Sequence, residues 1–302
     1  MSILVVGSVA LDSVKTPFGT APDVLGGSGT YFSVAASYFS KVRLVAVVGS
    51  DFPQKHIKLL EKRKIDLEGL KKVEGKTFRW KGEYTYDLSS AKTLDTQLNV
   101  FAQFKPEIPA SYKDSEYVFL ANIDPELQLD VLRQVKKPKL VACDTMNFWI
   151  SSKKQQLKKT LKYVDILVIN EAEARQLADE NNLVKAAKCI KSWGPKSLIV
   201  KRGEYGALFF GRKQVFSAPA YPLENIFDPT GAGDTFAGGF MGFLAGTGKT
   251  DELNIRRAII MGSVMASFDV EDFSLGRLVK LNKSEINTRF KAFKALTHFE
   301  SI

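Results

Sequence analysis

The chain has 302 residues, of which 45% are apolar and 25% charged, and its formal net charge is +10. Runs of about 18 apolar residues are missing, and the two cysteines and two histidines are isolated, so a membrane span, a disulfide framework and a Cys/His zinc site are all disfavoured. The lysines are dispersed without interleaved aromatics, so we expect a solvated basic surface in a cytoplasmic protein, with no nucleic-acid or membrane partner.

Short apolar, β-branched runs alternate with helical patterns along the chain. Strands are predicted at 3–7, 43–49, 117–121, 139–143, 165–170 and 197–201. Helices are predicted at 29–40, 52–63, 125–135, 152–162, 171–179, 232–246, 251–268 and 284–296. Because runs that are apolar throughout are typical of parallel strands covered on both faces, this order predicts an α/β fold with a mostly parallel central sheet.

One segment has a different period. In TFRWKGEYTYD (77–87), aromatic residues alternate with polar ones, which predicts a half-exposed antiparallel strand, and residues 89–104 could return beside it. An ordinary edge hairpin and a small β-sheet lid over a ligand or a second subunit both fit this pattern. Four aromatics on one strand face favour the lid, whose strands we place at about 10–28 and 74–104.

The most informative stretch is DPTGAGDTFAGGF (228–240), in which a glycine-rich bend precedes a helical pattern. Unpaired N–H groups at a helix N-terminus favour anions, so the amides of Gly231, Ala232, Gly233 and Asp234 can form a cradle for a phosphate. Within such a cradle, Asp234 could take a proton from an alcohol. The alternative is that Asp234 caps the helix and the glycines form a tight turn.

Polar residues follow several predicted strands at their carboxyl ends, where open α/β sheets bind ligands. Asp12 lies just past the first strand, and its carboxylate could bind two sugar hydroxyls. Asn122 and Asp124 follow the strand at 117–121, although they could equally form a turn and a helix cap. The next strand is followed by two similar candidates, Asp144 and Asn147.

Together these motifs resemble the PfkB family of carbohydrate kinases. The stretches that carry the resemblance are GSVALD (7–12), GGSGTYFSVAAS (26–37), VVGSDF (47–52), NEAEA (170–174), KRGEYGA (201–207) and DPTGAGDTFAGGF. They span nearly the whole chain in the family's order. The resemblance implies a single ribokinase-like α/β domain over residues 1–302, with three layers and a small β-sheet lid.

The resemblance also implies a reaction, the transfer of the ATP γ-phosphoryl group to a hydroxymethyl group of a small sugar or sugar-like alcohol. A nucleoside kinase of the same family is the alternative, and a relative that binds ligand without turnover is a third reading. In this family pattern Asp234 is the catalytic base and the Gly231–Asp234 amides form the anion hole. The acceptor residues it implies, together with the strand-edge candidates, are Asp12, Gly26, Gly27, Ser28, Tyr31, Asn122 and Asp124.

On the nucleotide side, the resemblance implies ATP binding by Asn170, Glu173, Lys201, Gly203 and Gly206. Asn170 and Glu173 would organise Mg²⁺, mostly through water, since a hard dication prefers oxygen ligands. Taken alone, Glu173 is also explained as an acid in the first turn of a helix.

The chain departs from the family pattern on the acceptor side and near the C-terminus. Tyr31 and Ala10 stand where many members carry asparagine, which puts ribose in doubt, and Tyr31 could instead stack on a sugar face or a nucleobase. SFDVEDFSLGR (267–277) replaces the usual Gly-Ala turn, so Asp228 is a candidate ligand for K⁺ whose use stays open. We also expect a homodimer formed through the lid.

Overall fold

The computed structural model describes residues 1–298. Its strands are β1 (Ser2–Val6), β2 (Ala10–Thr16), β3 (Gly19–Gly26), β4 (Lys41–Gly49), β5 (Ile65–Val73), β6 (Phe78–Tyr84), β7 (Ala91–Gln97), β8 (Tyr117–Leu120), β9 (Leu140–Cys143), β10 (Ile166–Asn170), β11 (Ser197–Lys201), β12 (Ala207–Phe210) and β13 (Val215–Ala218). Its α-helices are α1 (Ser28–Ala36), α2 (Gln54–Lys62), α3 (Pro125–Gln134), α4 (Asn147–Ser152), α5 (Lys154–Leu161), α6 (Glu171–Ala178), α7 (Leu183–Lys191), α8 (Ala232–Thr247), α9 (Glu252–Asp269) and α10 (Lys283–Thr297).

The larger sheet has nine strands in the order β13-β12-β11-β10-β9-β8-β1-β4-β5. Every pairing from β11 to β5 is parallel, and β12 and β13 add an antiparallel hairpin at one edge. All six sequence-predicted strands of the central sheet are present in it. The prediction of a mostly parallel sheet is confirmed.

Helices cover both faces of this sheet. Along β1, Ile3 and Val5 pack in a core with α1, α2, α8, α9 and α10, whereas Leu4 and Val6 pack in a second core with α3 to α7. Because successive strand residues point to opposite faces, a strand buried on both sides must be apolar at every position, as SILVV is except at its first residue. The predicted three-layer arrangement is therefore confirmed.

The smaller sheet has the strand order β3-β2-β6-β7 and lies within the two ranges predicted for the lid. β2 pairs antiparallel with β3, and β6 pairs antiparallel with β7, but β2 and β6 run parallel. The antiparallel pairing predicted for 77–87 is thus confirmed between β6 and β7, and it is wrong between β6 and β2. In the β2–β6 register, Asp12 lies opposite Trp80, so both side chains share one face.

Several elements differ from the sequence prediction. The helix predicted at 152–162 is present as α5, which begins after Lys153 (φ −134°, ψ 35°). α4, β5, α7 and β13 were not predicted. Within residues 1–298, no helix is long and apolar enough to cross a membrane. The predicted domain ends at 302, and its residues 299–302 lie outside the described part.

Candidate active site

The carboxyl edge of the large sheet brings together residues from distant parts of the chain. Asp144 directly follows β9, and Asn170 and Lys201 are paired neighbours at the ends of β10 and β11. The N-terminus of α8 meets this edge, since a Cβ atom placed on Gly233 would lie 2.8 Å from Lys201 Nζ. The predicted nucleotide side and the predicted phosphate cradle are therefore in contact.

The first turn of α8 is arranged as an anion site. Gly231 occupies the N-cap position, and no side chain in the described part of the protein caps this helix. The Ala232 N–H donates to Pro229 O at 3.2 Å, so this amide, one of the four predicted for the phosphate cradle, already has an acceptor within the turn. The amides of Gly233 and Asp234 belong to the first helical turn, whose N–H groups lack intrahelical acceptors and favour an anion.

Gly231 is required at the N-cap by backbone angle and by close contact. Its φ is +83°, in the left-handed region, and a Cβ atom there would lie 2.4 Å from Cδ1 of Tyr31. The Tyr31 side chain is 1% exposed and belongs to the core of the α1 and α8 layer. This placement does not support stacking of Tyr31 on an acceptor, and its ring instead forms the floor beneath the glycine bend.

Asp234 is half-buried at the start of α8, and it does not cap the helix. Burial raises the pKa of its carboxyl to about 7; nearby Asp144 raises it further and the Lys201 ammonium opposes this rise. A carboxylate with a pKa near neutrality is a suitable proton acceptor at neutral pH. The arrangement therefore places a carboxyl that can accept a proton beside the N–H groups of one helix turn.

Lys201 carries the positive charge of the site. Its Nζ lies 3.4 Å from Asp144 Oδ2, and both side chains are largely buried. Burial alone would lower the pKa of Lys201, but the carboxylates of Asp144, Glu173 and Asp234 together outweigh it and raise the pKa. The ammonium therefore stays charged beside the α8 N-terminus.

Asn170 and Glu173 cap α6 by a reciprocal pair of hydrogen bonds. The Asn170 N–H donates to Glu173 Oε2 at 2.8 Å, and the Glu173 N–H donates to Asn170 Oδ1 at 2.8 Å. Glu173 thus lies in the first turn of α6, as expected if it serves as a first-turn helix acid, the alternative role given to it from the sequence. Burial and the nearby Asp144 carboxyl raise its pKa to about 7, against the effect of Lys201.

These two residues fit a magnesium ion held mainly through water and phosphate. Among residues 1–298, no group of three or more His, Cys, Asp or Glu side chains forms a ready-made metal centre. The donors present are oxygens, which magnesium prefers. Within residues 1–298, the carboxyl groups of Asp144, Glu173 and Asp234 face one ammonium, that of Lys201, so a cation there would offset their excess negative charge.

Within electrostatic range of Asp234, Asp12 is 5% exposed and lies against the glycine pair. A Cβ atom on Gly26 would lie 1.8 Å from Asp12 Oδ2, and one on Gly27 would lie 2.6 Å from Ser8 O. Burial raises the pKa of Asp12 to about 7, although a hydrogen bond from the Gly27 amide lowers it. The Ser28 N–H donates to Ser8 Oγ at 3.0 Å, which fixes the start of α1 beneath Asp12.

The lid adds aromatic side chains to the Asp12 face. Trp80 is half-buried, and its indole lies across Gly82, where a Cβ atom would be 2.2 Å from Cη2. Trp80 Nε1 donates to Thr93 Oγ1 at 3.3 Å, which further fixes the ring. Tyr84 bridges to the α8 loop, since Thr230 Oγ1 lies 3.3 Å from its hydroxyl.

Several predicted residues have other partners. Asp124 caps α3 by accepting from the Glu126 N–H at 2.9 Å, and it pairs with Lys153 at 2.6 Å. It therefore has the capping role that was the alternative to acceptor binding. Asn122 Oδ1 accepts from Trp149 Nε1 at 3.0 Å. Asn147 accepts from the N–H of the residue that follows it.

The glycine turn after β11 has two constrained positions. Gly203 has φ +55° with open space around it, and Gly206 has φ +82°. A Cβ atom on Gly206 would lie 2.1 Å from Ala218 O. Gly206 therefore keeps β12 close to the strand end of β13, while Gly203 leaves the surface beside Lys201 open.

Beneath α8, the structure adds a residue that sequence reasoning missed. Asp269, 1% exposed at the end of α9, has both carboxylate oxygens without a hydrogen-bond partner in residues 1–298. Burial and the nearby Asp228 raise its pKa well above the usual range. The sequence does contain a signal for Asp269, since it is an acidic residue directly after the apolar helical pattern at 251–268. Asp228 itself accepts from the N–H groups of Thr230 at 2.9 Å and Ser274 at 3.1 Å.

Comparison with known proteins identifies relatives of this chain. The model of the pfkB family carbohydrate kinases matches residues 11–280. The cytidine kinase of Thermococcus kodakarensis is 30% identical over 251 residues, which cover 80% of this chain and 87% of that protein.

Solved structures share the fold. The nucleoside kinase of Methanocaldococcus jannaschii superposes with a TM-score of 0.78 at 21% identity, over 96% of this chain and 98% of that one. The aminoimidazole riboside kinase of Salmonella enterica, solved with aminoimidazole riboside and an ATP analogue, has a TM-score of 0.75 at 16% identity, over 96% and 100%. At these identities the superpositions establish a common fold.

Proposed function

The chain belongs to the pfkB family of carbohydrate kinases, which are phosphotransferases, and we propose that it transfers the γ-phosphoryl group of ATP to a hydroxymethyl group of a nucleoside. The observation that carries this proposal is Asp234, a half-buried carboxyl whose pKa is raised to about 7, at the first turn of an uncapped helix. A base and an anion site in one turn suit the transfer of a phosphoryl group to an alcohol.

In the proposed reaction, Asp234 accepts the proton of the acceptor hydroxyl as its oxygen attacks the γ-phosphorus. The new O–P bond forms as the bond between the γ-phosphorus and the oxygen bridging to the β-phosphate breaks, and ADP leaves with that electron pair. The amides of Gly233 and Asp234 stabilise the charge on the migrating group. Mg²⁺, when bound, would neutralise the phosphates, and Asn170 and Glu173 would hold it through water.

The choice of a nucleoside rests on two observations. The relative at 30% identity over most of its length is a cytidine kinase. In addition, Trp80 shares a face with Asp12, so a ligand that binds Asp12 through ribose hydroxyls would bring an attached base toward the indole. A small sugar, the acceptor predicted first from the sequence, is the alternative.

The direct experiment measures ADP formation with Mg·ATP and matched panels of nucleosides and free pentoses or hexoses. Phosphorylation of at least one nucleoside, with kcat/KM at least tenfold above that of every sugar, is the expected result. Preference for a sugar would establish the alternative acceptor. If no member of either panel were phosphorylated, while ATP still bound, a ligand-binding relative without turnover would replace the proposal.

The Trp80→Leu variant tests the indole separately. Loss of base stacking is worth roughly 1–3 kcal/mol by analogy with aromatic stacking on bases, so KM for the nucleoside should rise at least fivefold. KM for any free sugar that is turned over should stay unchanged. Trp193→Leu is the matched control, because the Trp193 ring packs against Lys158 in the other helical layer. Equal effects of both variants would remove Trp80 from the acceptor site.

A further inference from the structure

Lys201 lies where the proposed phosphate site, base and metal residues meet. Its strand ends beside Asn170, and its Nζ is 3.4 Å from Asp144 Oδ2. The same nitrogen lies against the first turn of α8, 2.8 Å from the position of a Cβ atom on Gly233. The ammonium therefore borders the space into which the Gly233 and Asp234 amides point.

The hydrogen-bonding capacity of this ammonium is largely unused. A lysine ammonium has three N–H donors, and within residues 1–298 its ion pair is the long contact to Asp144. The side chain is only 17% exposed, so bulk water supplies few partners. A buried cation with unused donors beside a helix N-terminus is suited to binding a further anion.

We propose that Lys201 is a catalytic residue whose ammonium binds a non-bridging oxygen of the migrating phosphoryl group, and that Asp144 is a positioning residue that holds this ammonium. The proposal rests on the proposed function, because it assigns a role within the same site. Lys201 stays protonated throughout and forms no covalent bond. Its contribution is charge neutralisation at the point where the α8 amides converge.

A purely structural role is the alternative, in which Lys201 serves only to neutralise the buried Asp144. Removing one partner of a buried ion pair leaves an uncompensated charge, so Lys201→Met alone could fail to fold under either explanation. The double variant Asp144→Asn/Lys201→Met removes both charges and avoids that problem. If the role is structural, the double variant should recover both stability and turnover.

The experiment compares wild type, Lys201→Met, Lys201→Arg and the double variant, with Lys196→Met as a control lysine that is 58% exposed. We expect the single and double Met variants to lose at least 10²-fold in kcat, about the effect of removing one oxyanion donor, with KM for ATP changed less than threefold. Lys201→Arg should retain more turnover than Lys201→Met. Wild-type kcat in the folded double variant would overturn the proposal.

A second measurement needs no acceptor. Aluminium fluoride with ADP mimics a phosphoryl group in transfer, and we expect it to tighten ADP binding at least tenfold in the wild type and in Lys196→Met. This tightening should vanish in the double variant, while binding of ADP alone is kept. If it persisted there, Lys201 would have no contact with the phosphoryl group. The measurement also separates the two claims, since Lys201-dependent tightening without acceptor turnover would contradict only the proposed function.

Discussion

The pH dependence of turnover provides a quantitative test of the base assignment. Because burial and Asp144 raise the pKa of Asp234 to about 7, about half of its carboxyls are ionised at pH 7, roughly 10% at pH 6 and roughly 1% at pH 5. The pH profile of kcat/KM, which reports groups of the free enzyme, should therefore fall about tenfold per pH unit below pH 6 and level off above pH 8. A carboxyl with an ordinary pKa near 3.8 would give a flat profile across this range.

Glu173 and Asp12 titrate in the same range, so the wild-type profile alone does not identify the base. Asp234→Asn should lower kcat at pH 8 by at least about 10²-fold, or about 2.7 kcal/mol, and keep ATP affinity. The residual rate of Asp234→Asn should no longer show the fall at low pH that comes from protonation of Asp234. A coupled assay of ADP formation from pH 5 to 9 measures both. Undiminished turnover in Asp234→Asn, or a flat wild-type profile, would refute the assignment.

Three further outcomes are expected. Gly231→Ala places a methyl group 2.4 Å from the Tyr31 ring at φ +83° and should lower the free energy of unfolding in urea by about 1–3 kcal/mol; the control Gly203→Ala, with open space, should cost less, and equal losses would contradict the packing argument. The raised pKa of Asp269 means that the folded state keeps a proton that the unfolded state releases above about pH 4, so the free energy of unfolding falls as pH rises. Asp269→Asn, which has no proton to lose, should therefore stabilise the protein more at pH 8 than at pH 5. The opposite order in thermal melts would exclude a neutral Asp269. Light scattering at micromolar protein should give the mass of a lid-mediated dimer, and a monomer mass would count against it.

The sequence predicts the central sheet well because its strands are buried on both faces. Strands such as that at 166–169 are apolar at every position and stand between clear helical patterns. β5, with IDLEGLKKV, was missed because it is an edge strand with mostly exposed, charged residues. The start of α5 after Lys153 could not be placed from the sequence, because Lys153 itself belongs to KKQQLKK, a run of good helix formers.

The candidate site was predictable where a motif is local and not where it depends on packing. Gly231 and Asp234 are specified by one short stretch, and the structure places them at the N-cap and in the first turn of α8, where a glycine bend precedes a helix as the pattern indicated. The burial of Tyr31 follows from the contact between α1 and α8, which are about 200 residues apart in the chain. The Asp144–Lys201 pair likewise forms only when β9 and β11 join one sheet.

A crystal structure of the Asp234→Asn variant with an ATP analogue, Mg²⁺ and a phosphorylatable acceptor would test the central claim most directly. We predict the γ-phosphate within hydrogen-bond distance of the amides of residues 233 and 234. We also predict the acceptor hydroxyl oxygen about 2.6–3.2 Å from the side chain of residue 234. A γ-phosphate bound elsewhere, or a hydroxyl oxygen whose nearest side chain belongs to another acid, would contradict the account.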